Sequence, residues 1–191
     1  MEFDPPTVDA VLAFWFGHDD RTRAEWFRKD PAFDESIRAR FGALVDAALA
    51  DPPAAMPASA RALLARIVVL DQFPRNLFRG QARAIAGDAQ ALALARHAVS
   101  SGADRMLPPV QRSFVYLPFE HAEDPQAQDE SIRLFEALAR SAPEQADTLV
   151  WARRHEAIIR RFGRYPHRNA ALGRTSTPEE EAFLREPGSS F

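Results

Sequence analysis

The sequence has no cysteine and a single lysine, Lys29. Without cysteine there is no disulfide framework, no thiolate metal site and no thiol nucleophile, which suits a reducing compartment. Apolar runs near the length of a membrane span, about 18 residues, are also missing. The N-terminal MEFDPPTVDAVLAFWFG carries no basic region ahead of its short, interrupted apolar patch. Neither a signal peptide nor a membrane segment is therefore expected, and the expected setting is cytoplasmic. Basic excess is absent too: 24 Lys and Arg face 27 Asp and Glu, a formal net charge of −3. That balance argues against a duplex nucleic-acid partner. No segment alternates apolar and polar residues for long enough to make a strand, and no low-complexity tract or clean 34-residue repeat divides the chain. Residues 1–191 are expected to form one domain, large enough to bury about 70% of the unfolded surface.

What is present is helical periodicity. Phe33, Ile37, Phe41, Leu44 and Val45 recur at spacings of three and four, which predicts a helix over 31–50, with Asp30 as N-cap and Pro31 in its first turn. DPPAAMP (51–57) reads as a loop. A helix is expected over 58–72, ended by Pro74, and a long alanine-rich one over 81–101, stopped by Gly102. A short helix over about 108–117 is expected to be cut by Pro118. Two more cover 126–141 and 145–162, the latter placing Leu149, Trp151, Ile158, Ile159 and Phe162 on its apolar side. TPEEEAFL (177–184) has the spacing of a capping box, and 7–16 and 21–29 read as shorter helices. The fold expected is all-α, a compact array of about eight helices with short connections.

Polar residues on apolar stripes carry the functional signal. Asp71 shares a face with Leu64, Ile67 and Val68, and His155 shares one with Ile158 and Ile159. His121 follows the apolar run Phe114–Leu117 and has Glu120, Glu123 and Asp124 beside it. An ionisable group in such a position is costly unless paired or hydrogen-bonded. The partners on offer are arginines, 23 of the 24 basic residues. Arginine suits bidentate pairing with carboxylate or phosphate, although a GC-rich genome scatters arginines regardless. Two segments echo each other: FPRN (73–76) and YPHRN (165–169) each place an aromatic and a proline ahead of Arg-Asn, after a helix. The candidate ligand-binding or network residues are Asp71, Gln72, Arg75, Asn76, Arg79, Glu120, His121, Glu123, His155, Arg164, His167, Arg168, Asn169 and Arg174.

The segments FWFG (14–17), WFRKDPAFD (26–34), LDQFPRNLFRG (70–80), FVYLPFEHAEDPQAQD (114–129) and RFGRYPHRNAALGRTSTPEE (161–180) occur in this order. Together they resemble the bacterial domain-of-unknown-function family 924 over nearly the whole chain. The resemblance implies an all-helical fold similar to tetratricopeptide-repeat superhelices and implies no activity.

Two readings of the polar cluster compete. In one, the arginines and histidines hold a small anionic ligand bearing phosphate or carboxylate, with His121 or His155 as acid or base. In the other, the cluster is an ionic network that locks helix ends in a scaffold or protein-interaction domain. A metal site drawing on His121, Glu123, Asp124, His155 and His167 lacks any HExxH or ExxH spacing, and no metal or other cofactor is expected. RFGRYPHRNAALGR (161–174) resembles a basic patch, yet it ends an apolar helix. Its arginines are expected to meet internal carboxylates such as Asp71 or Glu120.

Overall fold

The computed structural model describes residues 3–17, 21–26, 28–51 and 56–189. Among these residues no strand occurs, so the fold is all-α. The helices are α1 (Pro5–Phe16), α2 (Pro31–Ala50), α3 (Ala60–Ile67), α4 (Phe73–Leu77), α5 (Asp88–Ser101), α6 (Pro109–His121), α7 (Pro125–Ser141), α8 (Ala146–Phe162) and α9 (Pro178–Phe183). A π-helical turn, Val68–Gln72, joins α3 to α4, so these two form one interrupted rod and the described residues make eight rods.

Capping chemistry sets most of the boundaries. Asp30 accepts hydrogen bonds from the amides of Ala32 and Phe33, and Pro31 fills the first turn of α2, where its missing N–H leaves nothing unpaired. Gly102 and Gly163 end α5 and α8 with φ of 76° and 68°, the left-handed conformation that favours glycine. Thr177 and Glu180 close the capping box of α9 from both sides.

Four sequence expectations need correction. Pro74 does not end its helix: it lies in the first turn of α4, and the widened turn before it absorbs the missing donor. Pro118 lies inside α6, which continues to His121. The stretch 81–101 is two pieces, a 3-10 turn Ala82–Ile85 and α5, parted at Gly87. Residues 21–29 make only a 3-10 turn, Ala24–Trp26, with residue 27 outside the described set. The loop expected at 51–57 lies mostly outside the described residues.

One main core runs through the array. Trp15, Phe73, Phe119, Phe135, Ile37, Leu64 and Ile67 are all below 2% exposed. Phe14, Trp15, Phe16, Trp26, Phe33, Phe41, Phe73 and Phe114 interlock there in stacked and edge-on pairs. The FWFG segment is thus core. Trp151 is not: it is 47% exposed and carries Arg154 over its ring at 4.6 Å. From α5 to α8 each helix packs on the next, α5 on α6, α6 on α7 and α7 on α8, while α3 packs against α1, α5 and α6. This order brings the π turn, the start of α5, the end of α6 and the middle of α8 to one place.

Candidate functional site

Asp71 sits in the π turn and is fully buried. Three side chains hold its carboxylate. His121 Nδ1 donates to Oδ1 at 2.7 Å, Arg75 Nη2 donates to Oδ1 at 3.1 Å, and Gln72 Nε2 donates to Oδ2 at 2.5 Å. Burial opposes the Asp71 anion, but His121, Arg75 and these hydrogen bonds outweigh it and hold the carboxyl well below its ordinary range. With Nδ1–H directed at Asp71, the lone pair of His121 lies on Nε2. Burial, then the Arg75 charge, lowers the His121 pKa and so favours the neutral ring.

Arg75 also donates from Nη2 to Asp88 Oδ1 at 2.7 Å, and Arg168 Nη1 donates to Asp88 Oδ2 at 3.3 Å. The arginines of the two echoing segments therefore converge on one carboxylate. Their asparagines behave alike too. Asn76 donates to Asp34 at 2.8 Å, and Asn169 donates to Ser176 at 3.0 Å and to Glu180 at 3.3 Å. Asp88 was absent from the residues singled out in the sequence. It opens α5 directly after Gly87, where an acid reads as complementing the helix dipole. Gly87 is what permits its position. A Cβ there would lie 2.3 Å from the carbonyl oxygen of Leu70, in the π turn. Burial raises the Asp88 pKa against the opposing pull of Arg75.

A second group lies behind His121. His155 is buried on α8, and its Nδ1 meets both the Trp151 carbonyl at 2.9 Å and Glu120 Oε1 at 3.0 Å. The His121 and His155 rings are 6.2 Å apart, edge to face. Tyr165, fully buried, donates its hydroxyl to the Glu120 carbonyl and packs on His155 at 5.6 Å, while Arg168 stacks on its ring at 4.5 Å. Gln128 of α7 donates to the Glu120 and Ala122 carbonyls at 2.8 Å each, which caps the end of α6. Burial, then the Arg168 charge, pushes His167 down to about 4.

The remaining candidates divide. Glu123 receives Arg174 at 2.6 and 2.9 Å and the Tyr165 amide at 2.8 Å, and Arg174 also donates to Asn169 at 2.9 Å. Burial works against the Glu123 anion, but these bonds prevail and lower its pKa. Arg164 points away, to Glu180 at 2.6 and 2.8 Å, and its hydrogen bonds bring Glu180 down to about 2. Arg79 and Asn76 leave the cluster altogether: both bind Asp34, which ties α4 to the start of α2. Asp124 is the N-cap of α7 and pairs with Arg96 at 3.5 Å. Among the described residues no group of three or more His, Cys, Asp or Glu is placed to hold a metal ion, and no helix is long and apolar enough to cross a membrane.

The sequence profile of a family described as bacterial protein of unknown function, DUF924, matches residues 11–188. The chain belongs to the DUF924 family. Its fold matches a solved structure of a protein of unknown function, ATU0120 from Agrobacterium tumefaciens, with a TM-score of 0.79 at 36% identity. That match covers 94% of the DUF924 chain described here and 97% of the other. No curated protein matches the sequence.

Proposed function

We propose that the DUF924 chain binds a small anionic ligand, bearing phosphate or carboxylate, at the Arg75–Arg168 pair. The observation that carries this reading is the unused donor capacity of two mostly shielded guanidiniums. Their side chains are 24% and 9% exposed. Each offers five N–H donors. Among the described residues Arg75 donates only from Nη2 and Arg168 only from Nη1. The Nε atoms of both are buried without a hydrogen-bond partner. The Nη1 of Arg75 and the Nη2 of Arg168 remain for a ligand, and His121, whose Nδ1 shares Asp71 Oδ1 with Arg75, keeps its lone pair on Nε2. Burial and the neighbouring Arg75 charge both work against the Arg168 cation, a cost that an added anion would relieve. His121, oriented by Asp71, is the group suited to exchange a proton with such a ligand.

A test compares pyrophosphate, phosphate and citrate with chloride at matched ionic strength, by thermal unfolding of the wild type and of Arg168→Gln. Stabilisation specific to one oxyanion, lost in Arg168→Gln, is the expected result. Equal stabilisation by every salt would sink the reading.

A second reading has its own support. Asp71, Asp88, Arg75 and Arg168 cancel one another in charge, and two concavities of about 210 and 340 Å³ lie elsewhere. The first is lined by Asp9, Leu12, Phe16 and Arg61 among others, the second by Arg154, Ile158 and Phe183 among others. In this reading the cluster is a structural lock within a scaffold or interaction domain. It requires that cluster variants lose stability while no anion is bound.

A further inference from the structure

If the Arg75–Arg168 pair is an anion site, its charge balance dictates how the anion arrives. Asp71 and Asp88 already match Arg75 and Arg168, two negative charges against two positive ones. An incoming dianion would leave excess negative charge among groups largely withdrawn from water, where it is poorly screened. The nature of the ligand follows from the same contacts. Asp88 bridges the two guanidiniums with one oxygen each. A ligand adding to this bridge needs acceptors of its own for the remaining terminal nitrogen of each arginine, Nη1 of Arg75 and Nη2 of Arg168. A tetrahedral oxyanion supplies them from one centre.

His121 is placed to take up the compensating charge. It faces Asp71 from the π turn, Arg75 from α4, Asp88 from α5 and His155 from α8, with Glu120 beside it on α6. Its Nδ1 hydrogen is directed to Asp71, so only Nε2 is left to accept a proton. An oxyanion held on Arg75 would offset the positive charge that now disfavours the imidazolium. Protonated Nε2 would then become a further donor to that oxyanion.

We propose that tetrahedral dianions bind at Arg75 and Arg168 together with one proton, which His121 takes on Nε2. This rests on the anion-site reading of the cluster. It makes the ligand a phosphate-class dianion and makes its affinity depend on pH.

Sulfate is the suitable probe, because it stays dianionic around neutrality and cannot itself supply the proton. Its dissociation constant is measured by amide NMR titration from about pH 6 to about pH 8, with chloride holding ionic strength constant. Linkage of one proton weakens binding by up to about tenfold per pH unit over the interval where His121 titrates. His121→Gln is expected to bind sulfate with an affinity independent of pH. In the wild type, the ¹⁵N signal of His121 Nε2 is expected to move from the unprotonated to the protonated range on sulfate addition, which reads the proton without any variant. Failure of sulfate to shift any resonance beyond the chloride control would remove the anion site and this inference together. Binding with equal affinity at every pH would remove the inference alone. So would a pH dependence that survives in His121→Gln and vanishes in Asp88→Asn.

Discussion

Replacing Asp71 by alanine tests the energetics of the cluster most directly. The carboxylate is fully buried and receives hydrogen bonds from His121, Arg75 and Gln72. Breaking a buried pair by removing one partner costs about 3–5 kcal/mol, because the charge left behind has no compensation. Here the lower end applies. Arg75 keeps Asp88 at 2.7 Å and is 24% exposed, so water reaches part of it. A loss of about 3 kcal/mol corresponds to a fall in melting temperature of roughly 6–12 °C for a chain of this size. The internal control is Arg79→Ala, which breaks the pair with Asp34 just beyond α4 and leaves Asn76 bound to that carboxylate. Arg79 is 36% exposed and Asp34 20%. Surface pairs contribute about 0–1 kcal/mol, so this variant should shift by less than about 4 °C. Far-UV circular dichroism follows both transitions, and urea titration checks that the slopes are unchanged. An Asp71→Ala protein that melts no lower than Arg79→Ala would refute the account of a buried, mutually dependent cluster. A double-mutant cycle of Asp71→Ala with His121→Gln should give a coupling of about 0.5–3 kcal/mol across the 2.7 Å contact, and additive losses would contradict it.

Gly87→Ala should destabilise by about 1–3 kcal/mol or more, measured by urea unfolding, because its Cβ would meet the Leu70 carbonyl oxygen at 2.3 Å and neither backbone can yield easily. The same variant should displace Asp88 and weaken any anion binding; wild-type stability would contradict the packing of α5 on the π turn. Acid should destabilise the protein through His167. Its pKa is pushed down to about 4 in the folded state, so the unfolded chain binds its proton first. Its stabilising share is complete above about pH 6.5 and is lost as pH falls towards about 4, with His121 acting in the same direction. In urea titrations across that window, His167→Phe should show a shallower decline than the wild type, and an unchanged decline would count against it. Gln128→Leu leaves the Ala122 carbonyl without its side-chain donor at the end of α6 and the Glu120 carbonyl with the Tyr165 hydroxyl alone, at about 1–3 kcal/mol. Amide exchange at the end of α6 should rise in this variant, and full retention of protection there would contradict the capping role.

How far the sequence was legible depended on how local each feature is. The helix over 31–50 was readable to the residue, because Asp30, Pro31 and the three-and-four spacing all act within a few positions. The capping box at Thr177 and the stop at Gly102 were readable for the same reason. Proline misled at Pro74, where the widened turn before it absorbs the missing donor, and at Pro118, past which α6 runs on to His121. Asp71 and His155 betrayed their burial by standing on apolar stripes. Trp151 shows the limit of that rule, since its neighbours on the stripe are buried and it is not.

The sequence by itself determined an all-α chain, most of its helix limits, and the presence of ionisable groups that must find partners inside. Periodicity, caps and glycines act over a few residues, so they are written where they work. Only the tertiary structure decided which partner each group found. Arg75 and Arg168 are far apart in the chain and meet on Asp88, a residue with no local mark beyond its place after Gly87. Asn76 and Arg79, from the same segment as Arg75, turn to Asp34 instead. Those choices are set by how the π turn, α5, α6 and α8 pack, a long-range outcome that no short stretch of sequence encodes.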